Sequence, residues 1–146
     1  MKKLAAFAFS ALLSCCLYAA EPTAVTEKVL QAFEQSFKNA SAVVWHEYDD
    51  RYEVKFLHNA IDSRITYDKE GNILRTIRYY AGEQLPLMVC AKLQKQYPGK
   101  KVYGVTEFSA EGELDYFIVL EDKYNWHYVK CSANGSMNIY QRFKKA

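Results

Sequence analysis

The 146-residue chain is half hydrophobic and 15% aromatic, with 12 Tyr, 8 Phe and 2 Trp. That much apolar surface excludes a disordered chain and suits one ordinary domain or two small units sharing a core. A formal charge of +2 excludes nucleic acid as a partner, because that footprint needs a strongly basic face.

Residues 1–20 read as a secretory signal peptide. Met1-Lys2-Lys3 is a positive start, Leu4 to Leu17 an apolar run, and Tyr18-Ala19-Ala20 a small-residue stretch before the polar Glu21-Pro22-Thr23. The run is short for a membrane-spanning helix, so no transmembrane segment is expected in the mature chain. The expected location is the periplasm, the outer membrane or the surface of a Gram-negative cell. Cleavage after Ala19 or Ala20 is one way to finish the leader. Leu12-Leu13-Ser14-Cys15 is loosely similar to a bacterial lipoprotein signal, which would make Cys15 a lipid anchor instead.

An amphipathic helix is predicted over 25–38. Val25, Val29, Leu30, Phe33 and Phe37 recur at three- and four-residue steps. Strands follow at 42–48, 51–58, 61–67 and 72–79, rich in Val, Ile, Tyr, Phe and Thr and broken by polar or Gly-bearing turns. The chain then repeats this order. Leu85, Val89, Cys90, Leu93 and Tyr97 match the first helix residues at an offset of 60. A second helix at 84–97 precedes strands at 101–109, 113–120, 124–131 and 136–143. The offset grows to 64 by Tyr52 on Tyr116 and stays there to Gly71 on Gly135. The four extra residues are expected in the turn Ser109 to Glu113, where insertions cost little.

Strands joined by short turns must be antiparallel. One such unit buries little alone. The expected fold is therefore α+β: two tandem α-β-β-β-β repeats, 21–82 and 83–146, forming one shared domain. About eight antiparallel strands would form one sheet, with both helices on one face and the other face open to solvent. YDKEGNIL and CSANGSMN would close the last hairpin of each repeat, with Gly71 and Gly135 at positive φ.

Several features occur in a characteristic order. They are the Val43-Val44-Trp45 strand, Tyr52-Glu53-Val54-Lys55-Phe56, the Tyr67-Asp68-x-x-Gly71-Asn72 hairpin and the Leu85-Pro86 helix start. Doubled and behind a signal peptide, they resemble the exported PepSY-like, or beta-lactamase-inhibitor-like, proteins of Bacteroidetes. The resemblance covers Val25 to Phe143. The second copy departs from it, with Cys131-Ser132 in place of Tyr67-Asp68 and Val105 in place of Trp. It implies a concave sheet and an inhibitory or binding role.

No catalytic residues are proposed: no Ser-His-Asp order, nucleophile elbow or phosphate loop is present. No cofactor is expected. His46, His58 and His127 are not spaced as metal ligands and are expected at the surface or a sheet edge, so no metal is expected. Cys90 on the helix and Cys131 on a strand both point toward the layer between helix and sheet. They would form a disulfide, or else two buried thiols. The positive functional signal is aromatic. Tyr124, Trp126 and Tyr128 alternate with Asn125, His127 and Val129, so they face the open side if Val129 and Cys131 face the helix. The first repeat has Ala60, Asp62 and Arg64 at those places. Such aromatics are typical of binding surfaces. A one-residue register slip, or cross-strand packing that only supports the sheet, would remove that meaning. The expected function is an exported non-enzymatic module that binds a protein or peptide of the envelope on its open face, in inhibitor form blocking a secreted hydrolase. The alternative is a lipid-anchored envelope accessory.

Overall fold

Residues 24–146 are described by the structure, a computed structural model. The signal peptide at 1–20 and the lipidation site Cys15 lie outside the described residues. The chain runs α1 (Glu27–Ser36), β1 (Ser41–Glu47), β2 (Arg51–His58), β3 (Ile61–Asp68) and β4 (Ile73–Tyr80). A 3-10 turn (Gly82–Gln84) leads into α2 (Leu87–Gln96), and β5 (Lys101–Ala110), β6 (Glu113–Glu121), β7 (Asn125–Ser132) and β8 (Met137–Lys144) complete it. All eight strands form one antiparallel sheet in sequence order. The segment 81–100, which holds α2, is the only long connection among them, and β4 still pairs with β5 from Arg75↔Ala110 to Tyr80↔Val105.

Period-two alternation sets one face. Tyr52, Val54 and Phe56 of β2, Ile65 and Tyr67 of β3, Tyr116, Ile118 and Leu120 of β6, and Val129 and Cys131 of β7 are all buried beneath the helices. The two helices do not pool one core, as the sequence suggested. Val29 and Phe33 of α1 pack with Tyr52, Val54, Phe56, Ile65 and Tyr67, while Leu93 of α2 belongs to a second cluster around Val105, Ile118, Leu120 and Val129. The reason is width. Eight strands about 4.8 Å apart span roughly 34 Å, and two helices about 10 Å across cannot cover that. The uncovered middle is mixed. Ser63, Thr76 and Ser109 line a cavity of about 450 Å³ there together with Phe56, Ile61, Ile65 and Leu114. At its side Tyr80 Oη donates to Glu107 Oε2 at 2.6 Å, and Arg78 Nη1 donates to Glu107 Oε1 at 2.9 Å. Burial, followed by that acceptor carboxylate, pushes the Tyr80 hydroxyl far above the usual phenol range.

The extra residues of the second half do not lengthen a turn. β5 has 10 residues where β1 has 7, and the β5–β6 turn is only Glu111-Gly112, at φ 54° and 80°. Two successive positive φ values match the right-handed twist of a hairpin, so the insertion extends paired strand. The two final hairpins share a build. Gly71 and Gly135 sit at φ 89° and 79°, and their amides donate to Asp68 O and Ser132 O. In the first turn Asp68 Oδ1 also accepts from the Glu70 and Asn72 amides at 3.0 and 2.8 Å. The Asn72 side-chain donor, with these amides, holds the Asp68 carboxyl below the usual range. A Cβ on Gly71 would stand 3.5 Å from Lys28 O, an ordinary contact. The cost of Gly71→Ala is therefore conformational, about 1 kcal/mol, and Gly71→Asn should cost less because Asn tolerates this region. Urea unfolding midpoints of the two variants are the check.

Candidate functional site

The face opposite the helices differs between its two halves. On β7, Trp126, Tyr128 and Lys130 alternate with the buried His127, Val129 and Cys131 and take the open side. Their cross-strand partners carry more rings. Trp126 pairs with Phe143 on β8 and with Glu121 on β6, and Lys130 pairs with Phe117. Two bulges add to the array. β5 skips a partner between Val102 and Gly104, which sets Tyr103 beside Trp126 with ring centroids 4.7 Å apart, edge to face. β8 skips one opposite the Tyr128–Val129 step, and Tyr140 meets Phe117 and Tyr128, each at 6.2 Å. Tyr128 also meets Phe143 at 5.4 Å. Edge-to-face pairing orders the rings while much of their area stays in solvent: Tyr103 is 65% exposed, Tyr140 50% and Phe143 46%.

Tyr124 does not join this array. The strand begins at Asn125, and Tyr124 lies in the β6–β7 turn. Its amide donates to Asp122 Oδ1 at 2.9 Å, and Lys123 Nζ sits 5.1 Å from its ring centre. Ion pairs border the rings. Lys145 Nζ bonds Glu121 Oε2 at 2.7 Å and lies 4.4 Å from the Trp126 ring centre. Lys130 Nζ pairs with Asp115 Oδ2 at 2.8 Å, and that hydrogen bond, above all other influences, holds the Asp115 carboxyl below its usual range.

The first half is charged where the second is aromatic. Glu53, only 7% exposed, is flanked by Arg64 Nε at 3.5 Å and Arg75 Nη2 at 3.2 Å. Arg75 also donates to Thr66 Oγ1 at 3.3 Å. Lys55 and Asp62 are on this side as well, through the pairs Lys55↔Arg64 and Asp62↔Tyr79.

The histidines part company. His46 is exposed, and the His58 ring lies edge to face with that of Phe37, with centroids 5.5 Å apart. His127 is neither surface nor edge: it is 2% exposed on the helix side. Asp122 Oδ2 lies 2.7 Å from its Nε2, and Arg142 Nε donates to its Nδ1 at 3.2 Å. An accepting Nδ1 leaves the proton on Nε2, so the ring is neutral and donates to Asp122. Lys100 Nζ pairs with the same carboxylate at 2.8 Å. Lys100 first, and His127 next, hold the Asp122 carboxyl far below the usual range. The surface or edge position expected of His127 is thus overturned: it shares the buried phase of Val129, and its partners come from a turn and from β8, which spacing alone does not show.

The disulfide expected between Cys90 and Cys131 is absent; both are free thiols. Cys90 Sγ points to Leu85 O at 3.7 Å, and Cys131 Sγ to Ser132 O at 3.6 Å. Cys90 lines a cavity with Gly82, Tyr97 and Val102, whereas Cys131 lines another with Val89, Lys92 and Met137. Both share the apolar layer, but the rotation of the helix sends the two sulfurs to different cavities. Burial pushes the Cys131 thiol up, which suits an inert buried group. Thiol titration of the unfolded, unreduced protein should find both groups of residues 24–146 reactive. A finding of none would restore the bridge. Among the described residues no group of three His, Cys, Asp or Glu is placed to hold a metal, and no helix is long and apolar enough to cross a membrane.

No protein-family model matches the chain, and no curated protein matches it. Solved structures do match its fold. A BLIP-like protein of Bacteroides fragilis shares 16% identity at a TM-score of 0.58, covering 82% of this chain and 85% of that one. A candidate periplasmic protein of Bacteroides eggerthii shares 14% at 0.57, covering 82% and 88%. A DUF2874 family protein of Bacteroides uniformis shares 16% at 0.56, again covering 82% and 88%. The chain has the fold of these BLIP-like and DUF2874 proteins.

Proposed function

We propose that this protein is an exported, non-enzymatic module that binds a protein or peptide of the cell envelope on its open sheet face. The observation that carries the reading is the ring array of Tyr103, Phe117, Trp126, Tyr128, Tyr140 and Phe143. It lies on the side opposite α1 and α2 and is bordered by ion pairs rather than buried by them. Rings on a sheet face serve either as internal props or as a docking surface. Props would be closed over, and three of these six are close to or above half exposed. The names of the fold neighbours, BLIP-like in one case and candidate periplasmic in another, support an inhibitor-like, exported use of the fold.

Trp126→Ala should lower affinity for an envelope partner by about 30-fold or more, the loss of a central aromatic anchor. Tyr128→Ala should weaken it less. Acrylamide quenching of Trp126 fluorescence should fall when the partner binds. A partner retained at wild-type affinity by both variants, with their folds intact, would sink the proposal. The Leu12-Leu13-Ser14-Cys15 stretch favours a second reading, a lipid-anchored accessory of the envelope. Membrane fractionation of the wild type against Cys15→Ser separates the two, since only an anchored protein would leave the membrane on substitution.

A further inference from the structure

We infer that the partner presents an acidic segment, whose carboxylates meet a cationic corner at one end of the ring array. The inference rests on the open-face reading and adds the chemistry of the occupant. The corner lies where β5 begins and β6 and β8 end. Lys101 opens β5 and pairs across the sheet with Glu121, which pairs in turn with Trp126. Lys123 stands in the adjoining turn. Lys144, which closes β8, pairs with Asn125 and takes the helix side, so it is not part of the corner. Lys101 and Lys123 are both exposed.

Two carboxylates at the end of β6 and in the turn after it are already engaged. Glu121 is held by Lys145, and Asp122 by Lys100 and His127. Glu83 lines a cavity with Lys101. Among the described residues, Lys101 and Lys123 form no ion pair, and Lys123 stands over the Tyr124 ring. Positive charge is therefore in excess within one or two strands of Trp126 and Tyr103. The other half shows that the fold does not require this. The matching positions there are Ser41, which opens β1, and Asn59 in the β2–β3 turn. Cations outside ion pairs beside exposed rings attract carboxylates and speed their encounter. The rings then take the apolar side chains of the same segment. A basic segment would be repelled by these lysines, and a purely apolar one would leave them unused.

The test uses purified protein and two random copolymers as probes, one of Glu and Tyr and one of Lys and Tyr. Binding is followed by the Trp126 indole N–H signal in NMR, assigned with Trp126→Phe. The Glu–Tyr copolymer should bind, shift that signal and weaken as salt is raised, and the Lys–Tyr copolymer should not bind. Joint Lys101→Glu and Lys123→Glu should weaken binding at least about tenfold, as should Trp126→Ala. The milder double change to Ala, with an unchanged melting temperature, controls for folding. Wild-type binding by both double variants, with loss in Trp126→Ala, would overturn the acidic occupant and leave the open-face reading standing. Loss in the double variants with no effect of Trp126→Ala and no Trp126 shift would overturn both. Equal binding of the two copolymers, or none of the Glu–Tyr copolymer, would overturn the acidic occupant.

Discussion

Phe33→Ala is expected to cost about 3–5 kcal/mol of folding stability, the range for emptying a buried aromatic site. Phe33 is 5% exposed, and its ring meets those of Phe37, Trp45 and Phe56 at 5.5, 5.4 and 5.0 Å. Those three rings hold α1 on β1 and β2. Removing the central one leaves a hole that rigid neighbours cannot close. Because the two apolar clusters are separate, the damage should be uneven. Hydrogen exchange in α1, β1 and β2 should quicken most, while β6 and β7 keep more of their protection. Urea unfolding gives the size of the loss and hydrogen exchange its location. Equal loss of protection at Val129 and Val54 would show that the sheet couples the halves more tightly than the clusters imply.

His127→Ala is the second large effect, about 2–4 kcal/mol. It opens a hole on the helix side of the sheet, beside Leu120, and strips Asp122 and Arg142 of a buried partner. Asp122 also sets an acid dependence. Its carboxyl lies below its ordinary value of 3.8 in the folded state because Lys100 and then His127 bond its charged form. A carboxyl whose pKa is lowered by folding contributes stability that is fully present above that ordinary value. The contribution is lost as pH falls below it toward the folded value. Thermal melting of the wild type should therefore drop as pH is lowered through about 4. Asp122→Asn should be less stable than the wild type at neutral pH, and the gap should narrow in acid. A gap that stays constant down to pH about 3 would mean the carboxylate is not the group that titrates.

Both variants touch residues whose importance the sequence shows only in part. The spacing Val29–Phe33 places Phe33 on the buried stripe of a helix, whereas His127 is expected at the surface or an edge although it alternates in phase with the buried Val129. Each inference needs neighbours a few residues away. The partner of His127 in β8 is 15 residues distant, and its bond depends on how a bulge resets the register. The cysteines fail in the opposite sense. Cys90 and Cys131 were rightly assigned to the apolar layer, but pairing needs sulfur atoms aimed at each other, and helix rotation is not written in spacing.

The open face divides in the same way. Trp126 and Tyr128 are placed by simple alternation, while Tyr124 is lost to the turn. Tyr103 and Tyr140 reach the array through bulges, which alternation cannot see. The charged first half also needed the sheet, because Glu53, Arg64 and Arg75 stand on three different strands.

What the sequence determined by itself was the local periodicity: two amphipathic helices, which the structure trims at both ends, strands of about eight residues, positive-φ turns at Gly71 and Gly135, and a helix-then-four-strands order written twice. Sterics and side-chain period act over a few residues, so they can be read along the chain. Only the tertiary structure decided that two cores form instead of one, that polar groups enter the strip between them, and that six rings gather on the face opposite α1 and α2. Sheet width, bulge register and helix rotation are properties of paired strands and packed layers, and no single stretch of chain contains them.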